Sequence, residues 1–174
     1  MSRRGTKTDG RAAAARDGEL LGALHAVYDD ATRAFDGWSC PASTECCRFG
    51  ITGREPYVTS IELLAIRRAI AARGGARAWR RASAATADPE GAATGRITLP
   101  VVADERRCPM LTDAGRCAIY DARPLGCRTF FCDRASPGSK VRQRDVNALV
   151  RRVQDIAAKH EMDGDKGRPL TRAL

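Results

Sequence analysis

The sequence has few large apolar side chains for its length. Of its 174 residues 43% are hydrophobic, but 30 of these are alanine and 7 are cysteine, which leaves about 38 larger apolar or aromatic side chains. The chain is also too short for a (β/α)8 barrel, or for two ordinary domains with separate cores. A small domain with so few core residues often needs a covalent cross-link or a bound metal to be stable.

Long apolar runs are missing as well. No stretch approaches the roughly 18 apolar residues that a membrane span needs, and residues 1–17 lack the apolar centre of a secretory signal. We therefore expect a cytoplasmic protein with no membrane partner. A Gly-rich phosphate loop, a GxGxxG pattern and a Ser-His-Asp arrangement are also absent from the sequence. The two histidines, His25 and His160, fall on predicted helices, where we expect a surface or helix-end role for each.

Basic residues outnumber acidic ones. Lys and Arg total 30 against 21 Asp and Glu, which gives a formal net charge of +9. Such an excess suits an acidic partner such as nucleic acid. However, 26 of these 30 basic residues are arginines. They are spread along the chain with a few short doublets and no basic block, as a GC-rich coding sequence also produces. Nucleic-acid binding is therefore not the expected main function, although a zinc-stapled module that binds nucleic acid or an acidic protein stays open.

The apolar periodicity predicts an α+β fold that is mainly α, with three to four helices, a short β-hairpin and cysteine-rich loops around a metal site. Thr59 and Glu62 match a capping box at the start of the second helix. The predicted helices run from Glu19 to Asp36-Gly37, from Thr59 to Gly74-Gly75, around Trp79, and from Arg144 to His160. The predicted extended segments are Ile97–Val102 and the hairpin arms Pro109–Leu111 and Cys117–Tyr120.

One domain is expected over residues 18–162. Residues 1–17 are basic and Ala-rich without a periodic apolar face, and residues 163–174 are polar. Segments of this composition bury too little apolar surface to order themselves. We therefore predict a flexible basic tail at the start of the chain and a polar tail at its end.

The seven cysteines are confined to two short segments. In a reducing compartment they do not suggest a disulfide framework, and an odd number cannot pair completely within one chain. Thiolates bind zinc or iron because sulfur is soft and anionic, and a zinc site or an iron–sulfur cluster takes four of them. Either Zn2+ or an iron–sulfur cluster fits, with a slight preference for the cluster because there are spare cysteines. The predicted metal ligands are Cys40, Cys46, Cys47, Cys108, Cys117, Cys127 and Cys132.

The order of these cysteines resembles a known family. The adjacent pair Cys46-Cys47, then Cys108-Pro-x-Leu, then Cys117-x-Ile-Tyr-x-x-Arg-Pro-x-x-Cys127-Arg-x-Phe is similar to the YkgJ-type cysteine-cluster proteins, described as a zinc- or iron-chelating domain with a CxxCxxCC signature. The resemblance covers about residues 36–135. It departs from the signature at Ser43, which stands where the second cysteine would be. The family includes flagellin lysine N-methylases, so the resemblance implies an iron–sulfur enzyme as an alternative, although this chain is much shorter.

Several arginines and aromatic residues lie close to the cysteines in sequence. Four thiolates around zinc or a cluster leave a net charge near −2, which is costly to bury without nearby donors or cations. An arginine-rich chain also places arginines near any residue, so only the two in the family motif, Arg123 and Arg128, point to the metal site specifically. The other neighbouring arginines are Arg48, Arg107, Arg116 and Arg134. The aromatic residues expected to form a dry wall are Trp38, Phe49, Tyr120, Phe130 and Phe131.

Overall fold

The computed structural model describes residues 5–35, 45–75, 107–112, 114–129, 141–161, 165 and 167–174. The fold is α+β and mainly α, as predicted. The predicted helix around Trp79 and the extended segment Ile97–Val102 lie outside the described residues. The elements are α1 (Gly5–Ala34), a 3-10 turn (Glu45–Cys47), α2 (Phe49–Thr52), β1 (Tyr57–Val58), α3 (Ser60–Ala72), a second 3-10 turn (Tyr120–Ala122), α4 (Leu125–Thr129), α5 (Gln143–His160), β2 (Arg168–Pro169) and α6 (Leu170–Ala173).

Helices α1, α3 and α5 pack around a first apolar cluster. Each helix buries the face that its periodicity predicted, because residues three and four apart share one side of a helix. Arg152 on α5 also forms an ion pair with Asp30 on α1, with an N–O distance of 2.6 Å. The cluster consists of Leu21, Leu24, Val27, Tyr28, Ala31, Ile61, Ala65, Leu125, Leu149, Val153, Ile156 and Ala157.

A second apolar cluster holds the cysteine-bearing segments. Helix α3 lies between the two clusters, since Ile61 faces the first and Ile66 faces the second. Cys108 is a buried member of the second cluster, and Cys47 and Cys117 pack at its edge. The cysteines are therefore part of a core as well as potential ligands. The buried members are Phe49, Val58, Leu63, Ile66, Cys108, Met110, Leu111, Ile119, Leu170 and Ala173.

The ends of α3 follow the predicted signals. Thr59 and Glu62 form the capping box at its start. After its last turn come Gly74 and Gly75, with φ angles of 93° and 80°, a backbone region that favours glycine. Among the described helices, none combines the length and the apolar character needed to cross a bilayer.

Helix α1 begins at Gly5 and not at the predicted Glu19, so residues 5–17, which were predicted to form a flexible tail, belong to the helix. The side chains of residues 10–16 are exposed, and the segment includes four consecutive alanines at 12–15. Intrinsic helix propensity, and not burial, therefore extends the helix. Asp17 lies 3.8 Å from His160 of α5 and 4.0 Å from Arg68 of α3, measured between oxygen and nitrogen atoms.

The C-terminal segment is not a polar tail, and that prediction is wrong for residues 167–174. Strand β2 pairs antiparallel with β1, with Tyr57 opposite Pro169 and Val58 opposite Arg168. Helix α6 follows directly and buries Leu170. The buried residues of this segment, Leu170 and Ala173, are too few to give a periodic signal, so only the contact with residues 56–58 reveals this element.

Gly126 lies where α4 packs against the loop before β1. A Cβ at this position would lie 3.1 Å from the Cβ of Pro56. We expect Gly126→Ala to lower the free energy of unfolding by about 1–2 kcal/mol, because the loop has to shift to relieve the clash.

Urea denaturation followed by circular dichroism measures the effect, and Gly22→Ala is the matched control. A Cβ on Gly22, in α1, meets nothing within 4 Å, so alanine should raise the free energy of unfolding by up to about 1 kcal/mol. The same change in both variants would contradict the close packing of Gly126 on Pro56.

Candidate metal centre

Backbone pairing brings the two cysteine segments side by side. The N–H of Cys108 donates to the carbonyl of Cys47 at 2.8 Å. The next pair outward, Arg48 and Arg107, forms an antiparallel bridge. Backbone hydrogen bonds thus align segments that are far apart in the sequence.

The predicted hairpin is reduced to a single bridge around a tight turn. Leu111 pairs with Cys117, and the N–H of Gly115 donates to the carbonyl of Thr112 at 3.0 Å. Gly115 has a φ of 68°, which favours glycine at this point of the turn. The turn places Cys108 and Cys117 on opposite arms.

Two of the described thiols are in direct contact, and a third lies close to them. The Sγ atoms of Cys46 and Cys47 are 3.7 Å apart, and the thiol of Cys108 lies close to that of Cys47. In a tetrahedral zinc site, Zn–S bonds of about 2.3 Å place neighbouring sulfurs about 3.8 Å apart. The separation of Cys46 and Cys47 therefore suits two thiolates on one metal.

Two further thiols lie within electrostatic range of this group. Cys117, on the hairpin arm, and Cys127, in α4, each interact with Cys47, and Cys127 also interacts with Cys117. Cys40 and Cys132 lie outside the described residues. Within the described ranges, no group of three or more Cys, His, Asp or Glu side chains is arranged to hold a metal ion. The described thiols are thus neighbours and not a preassembled set of ligands.

The contact between Cys47 and Cys108 separates the pKa values of the two thiols. Hydrogen bonds from Cys108 and Cys46 lower the pKa of Cys47, and the guanidinium groups of Arg107 and Arg123 act in the same direction. The hydrogen bond to Cys47 raises the pKa of Cys108, and burial raises it further. Cys47 is therefore the thiol of this pair that ionises more readily, and the thiolate is the form that binds metals.

Backbone amides also point at the sulfurs. Burial raises the pKa values of Cys117 and Cys127. Hydrogen bonds from the N–H groups of Ile119 to Cys117 and of Met110 to Cys108 oppose the effect of burial on those two thiols. Amide donors of this kind stabilise the anionic form of sulfur, as they do around metal–sulfur centres.

Arg123 is the cation that three of the thiols share. Its charge lowers the pKa values of Cys47, Cys117 and Cys127, against the burial that raises the last two. Its guanidinium carbon lies 3.9 Å from the centre of the Tyr120 ring. Its Nε atom is buried and has no hydrogen-bond partner in the described part of the chain. A buried donor without an acceptor is costly.

Arg128, the other arginine of the motif that carries the resemblance, connects α4 with residues 121–123 and with α1. Its Nε donates to the carbonyl of Arg123 at 3.0 Å, and a terminal N–H donates to the carbonyl of Asp121. Its guanidinium carbon lies 4.2 Å from the centre of the Tyr28 ring on α1. Arg48, Arg107 and Arg116 are exposed, and Arg134 lies outside the described residues.

The expected aromatic wall is only partly present among the described residues. Phe49 is fully buried in the second cluster, whereas Tyr120 is 43% exposed. Trp38, Phe130 and Phe131 lie outside the described residues. Of the two histidines, His25 is exposed on α1, and the Nδ1 atom of His160 lies 2.8 Å from the hydroxyl of Ser60.

Glu62 is the residue whose importance the sequence analysis missed, since it suggested only a helix cap. Its side chain is 3% exposed. Its carboxylate accepts the N–H of Thr59 at 3.0 Å, the N–H of Leu125 at 2.8 Å and the hydroxyl of Tyr28 at 3.3 Å. It therefore connects α1, α3 and the start of α4, which carries Cys127. An acid flanked by apolar residues on a helix is the only sequence signal for this role.

Comparisons with protein-family models, with curated proteins and with solved structures found no match to this chain. The resemblance to YkgJ-type proteins therefore rests on the motif residues themselves.

Proposed function

We propose that this chain is a metal-binding protein in which thiolates from both cysteine segments hold zinc or an iron–sulfur cluster, as in the YkgJ-type domains that it resembles. The observation that carries the proposal is the backbone hydrogen bond of 2.8 Å that sets Cys108 of one segment beside Cys47 of the other, with the Sγ atom of Cys46 3.7 Å from that of Cys47. Cys117 and Cys127 are the next described donors. The remaining predicted ligands, Cys40 and Cys132, belong to the same two segments.

Metal binding explains features that apolar packing alone does not. Neutral buried thiols need neither the amide donors on Cys108 and Cys117 nor a cation such as Arg123, whose charge lowers the pKa of Cys117. The buried Nε of Arg123 lacks an acceptor among the described residues, and thiolates would provide one. A bound metal would supply the positive charge that keeps several neighbouring sulfurs ionised. It would also cross-link the segments of the second apolar cluster and so stabilise a chain that has few large apolar residues.

The number of cysteines gives a slight preference for a cluster over zinc. Both kinds of site take four thiolates, and the two segments contain seven cysteines. The additional thiols favour an iron–sulfur cluster with exchangeable ligands. The role that follows is structural or as a carrier of the metal.

Elemental analysis and a visible spectrum of the anaerobically purified 174-residue chain test the proposal. A brown protein that contains iron and sulfide and absorbs at about 400 nm identifies the cluster, and a colourless protein with stoichiometric zinc identifies a zinc site. We expect one of these two results. A folded, metal-free protein whose melting temperature does not change on addition of a strong chelator would refute the proposal.

A further inference from the structure

A cleft of about 830 Å3 opens beside the cysteine cluster. Its size lies in the range of about 300–1,000 Å3 that is typical of small-molecule sites. Two of the cysteines, Cys46 and Cys127, form part of its lining. A molecule in this cleft would therefore lie next to the sulfurs.

The charged side chains that line the cleft leave it positive. Arg54 and Arg172 both contribute to the lining, and within the described part of the chain neither guanidinium forms an ion pair or a hydrogen bond. The third charged residue, Glu55, is already engaged, because its carboxylate accepts the N–H and the hydroxyl of Thr171, each at 2.6 Å. Two arginines thus remain available for an anion.

The walls of the cleft are held in place by backbone contacts. The pairing of β1 with β2 fixes Tyr57 opposite Pro169, and the N–H of Leu170 donates to the carbonyl of Pro56 at 3.0 Å. The Tyr57 side chain is 66% exposed and presents an aromatic surface at the cleft. A site that is ordered before binding pays less entropy when a ligand arrives.

We propose that the cleft binds a small organic carboxylate, whose carboxylate group pairs with Arg54 and Arg172 while its apolar body contacts Tyr57. Guanidinium groups recognise carboxylates through paired N–H donors. An organic anion fits better than inorganic phosphate, because phosphate has no apolar part to place on the aromatic surface. The inference rests on the proposed function in one respect, since a metal held by Cys46 or Cys127 would lie at the edge of this site.

Isothermal titration calorimetry with benzoate tests the inference, with benzamide as its uncharged analogue and inorganic phosphate as the anion without an apolar body. We expect saturable binding of benzoate, no measurable binding of benzamide, and weaker binding of phosphate. Equal affinities for benzoate and benzamide would show that the arginines are not used. Phosphate binding as tight as benzoate binding would overturn the choice of an organic anion.

Single variants locate the binding site. Arg54→Gln and Arg172→Gln should each weaken benzoate binding by about fivefold, as expected for an exposed ion pair. Arg67→Gln is the matched control, because Arg67 is exposed on α3 and does not line the cleft. Unchanged affinity in both cleft variants, or the same loss in the control, would overturn the assignment.

Metal content measured on the same samples separates this inference from the proposed function. Metal-bound protein that fails to bind benzoate would refute the cleft alone. Protein without metal that still binds benzoate through Arg54 and Arg172 would refute the metal site alone. The melting temperature of each variant verifies that it is folded.

Discussion

Replacing Glu62 with alanine is expected to lower the free energy of unfolding by about 3–4 kcal/mol. The substitution leaves the N–H groups of Thr59 and Leu125 and the hydroxyl of Tyr28 without their acceptor in a buried site. It also removes the capping box at the start of α3. Urea denaturation of the purified variant, followed by circular dichroism, measures the loss.

Two further variants show whether the loss of stability comes from the hydrogen bonds of the Glu62 carboxylate. Glu62→Gln keeps one acceptor oxygen and the shape of the side chain, so we expect a smaller loss of about 1–2 kcal/mol. Glu161→Ala removes an exposed carboxylate at the end of α5, and its effect should stay within about 0.5 kcal/mol. If Glu62→Ala were no more destabilising than Glu161→Ala, the carboxylate would not connect the helices as described.

Cys117→Ser is expected to have the second large effect, because serine is a poor ligand for zinc or a cluster. We expect the bound metal to fall to about half or less, and the free energy of unfolding to fall by about 3 kcal/mol, since binding energy at a structural site is also folding energy. Metal per chain and the melting temperature, both under anaerobic conditions, are the measurements. Cys47→Ser and Cys127→Ser should behave in the same way.

Leu111→Ala separates the ligand role from packing. Leu111 pairs with Cys117 across the turn and belongs to the same apolar cluster. Its truncation should destabilise the cluster by about 2–3 kcal/mol while the metal content of the folded protein stays the same. If Cys117→Ser lost stability and retained all of its metal, as expected for Leu111→Ala, the cysteine would act by packing alone.

The long helices could be predicted because their burial repeats every three to four residues. Leu24, Ile61 and Val153 all lie on the faces that this period selects. The early start of α1 was missed because exposed alanines favour a helix without showing an apolar face. Helix α6 was missed because Leu170 is buried by a distant part of the chain, and no local pattern reports such a contact.

The candidate metal centre was only partly predictable. The density of cysteines in two segments indicated that the segments meet, but the spacing could not indicate which cysteines lie side by side. The backbone hydrogen bond between Cys47 and Cys108 determines which cysteines are neighbours. The cleft could not be predicted at all, because Arg54 and Arg172 line the same cleft only through the pairing of β1 with β2.

By itself, the sequence determined the helical faces, the capping box of α3 and the confinement of the cysteines to two segments, because each of these is a property of neighbouring residues. Only the tertiary structure decided that Glu62 connects three helices and that the charge of Arg123 acts on three thiols. The partners of both side chains come from remote elements. A buried charge is stabilised by whichever groups the fold places around it, and local sequence does not specify those groups.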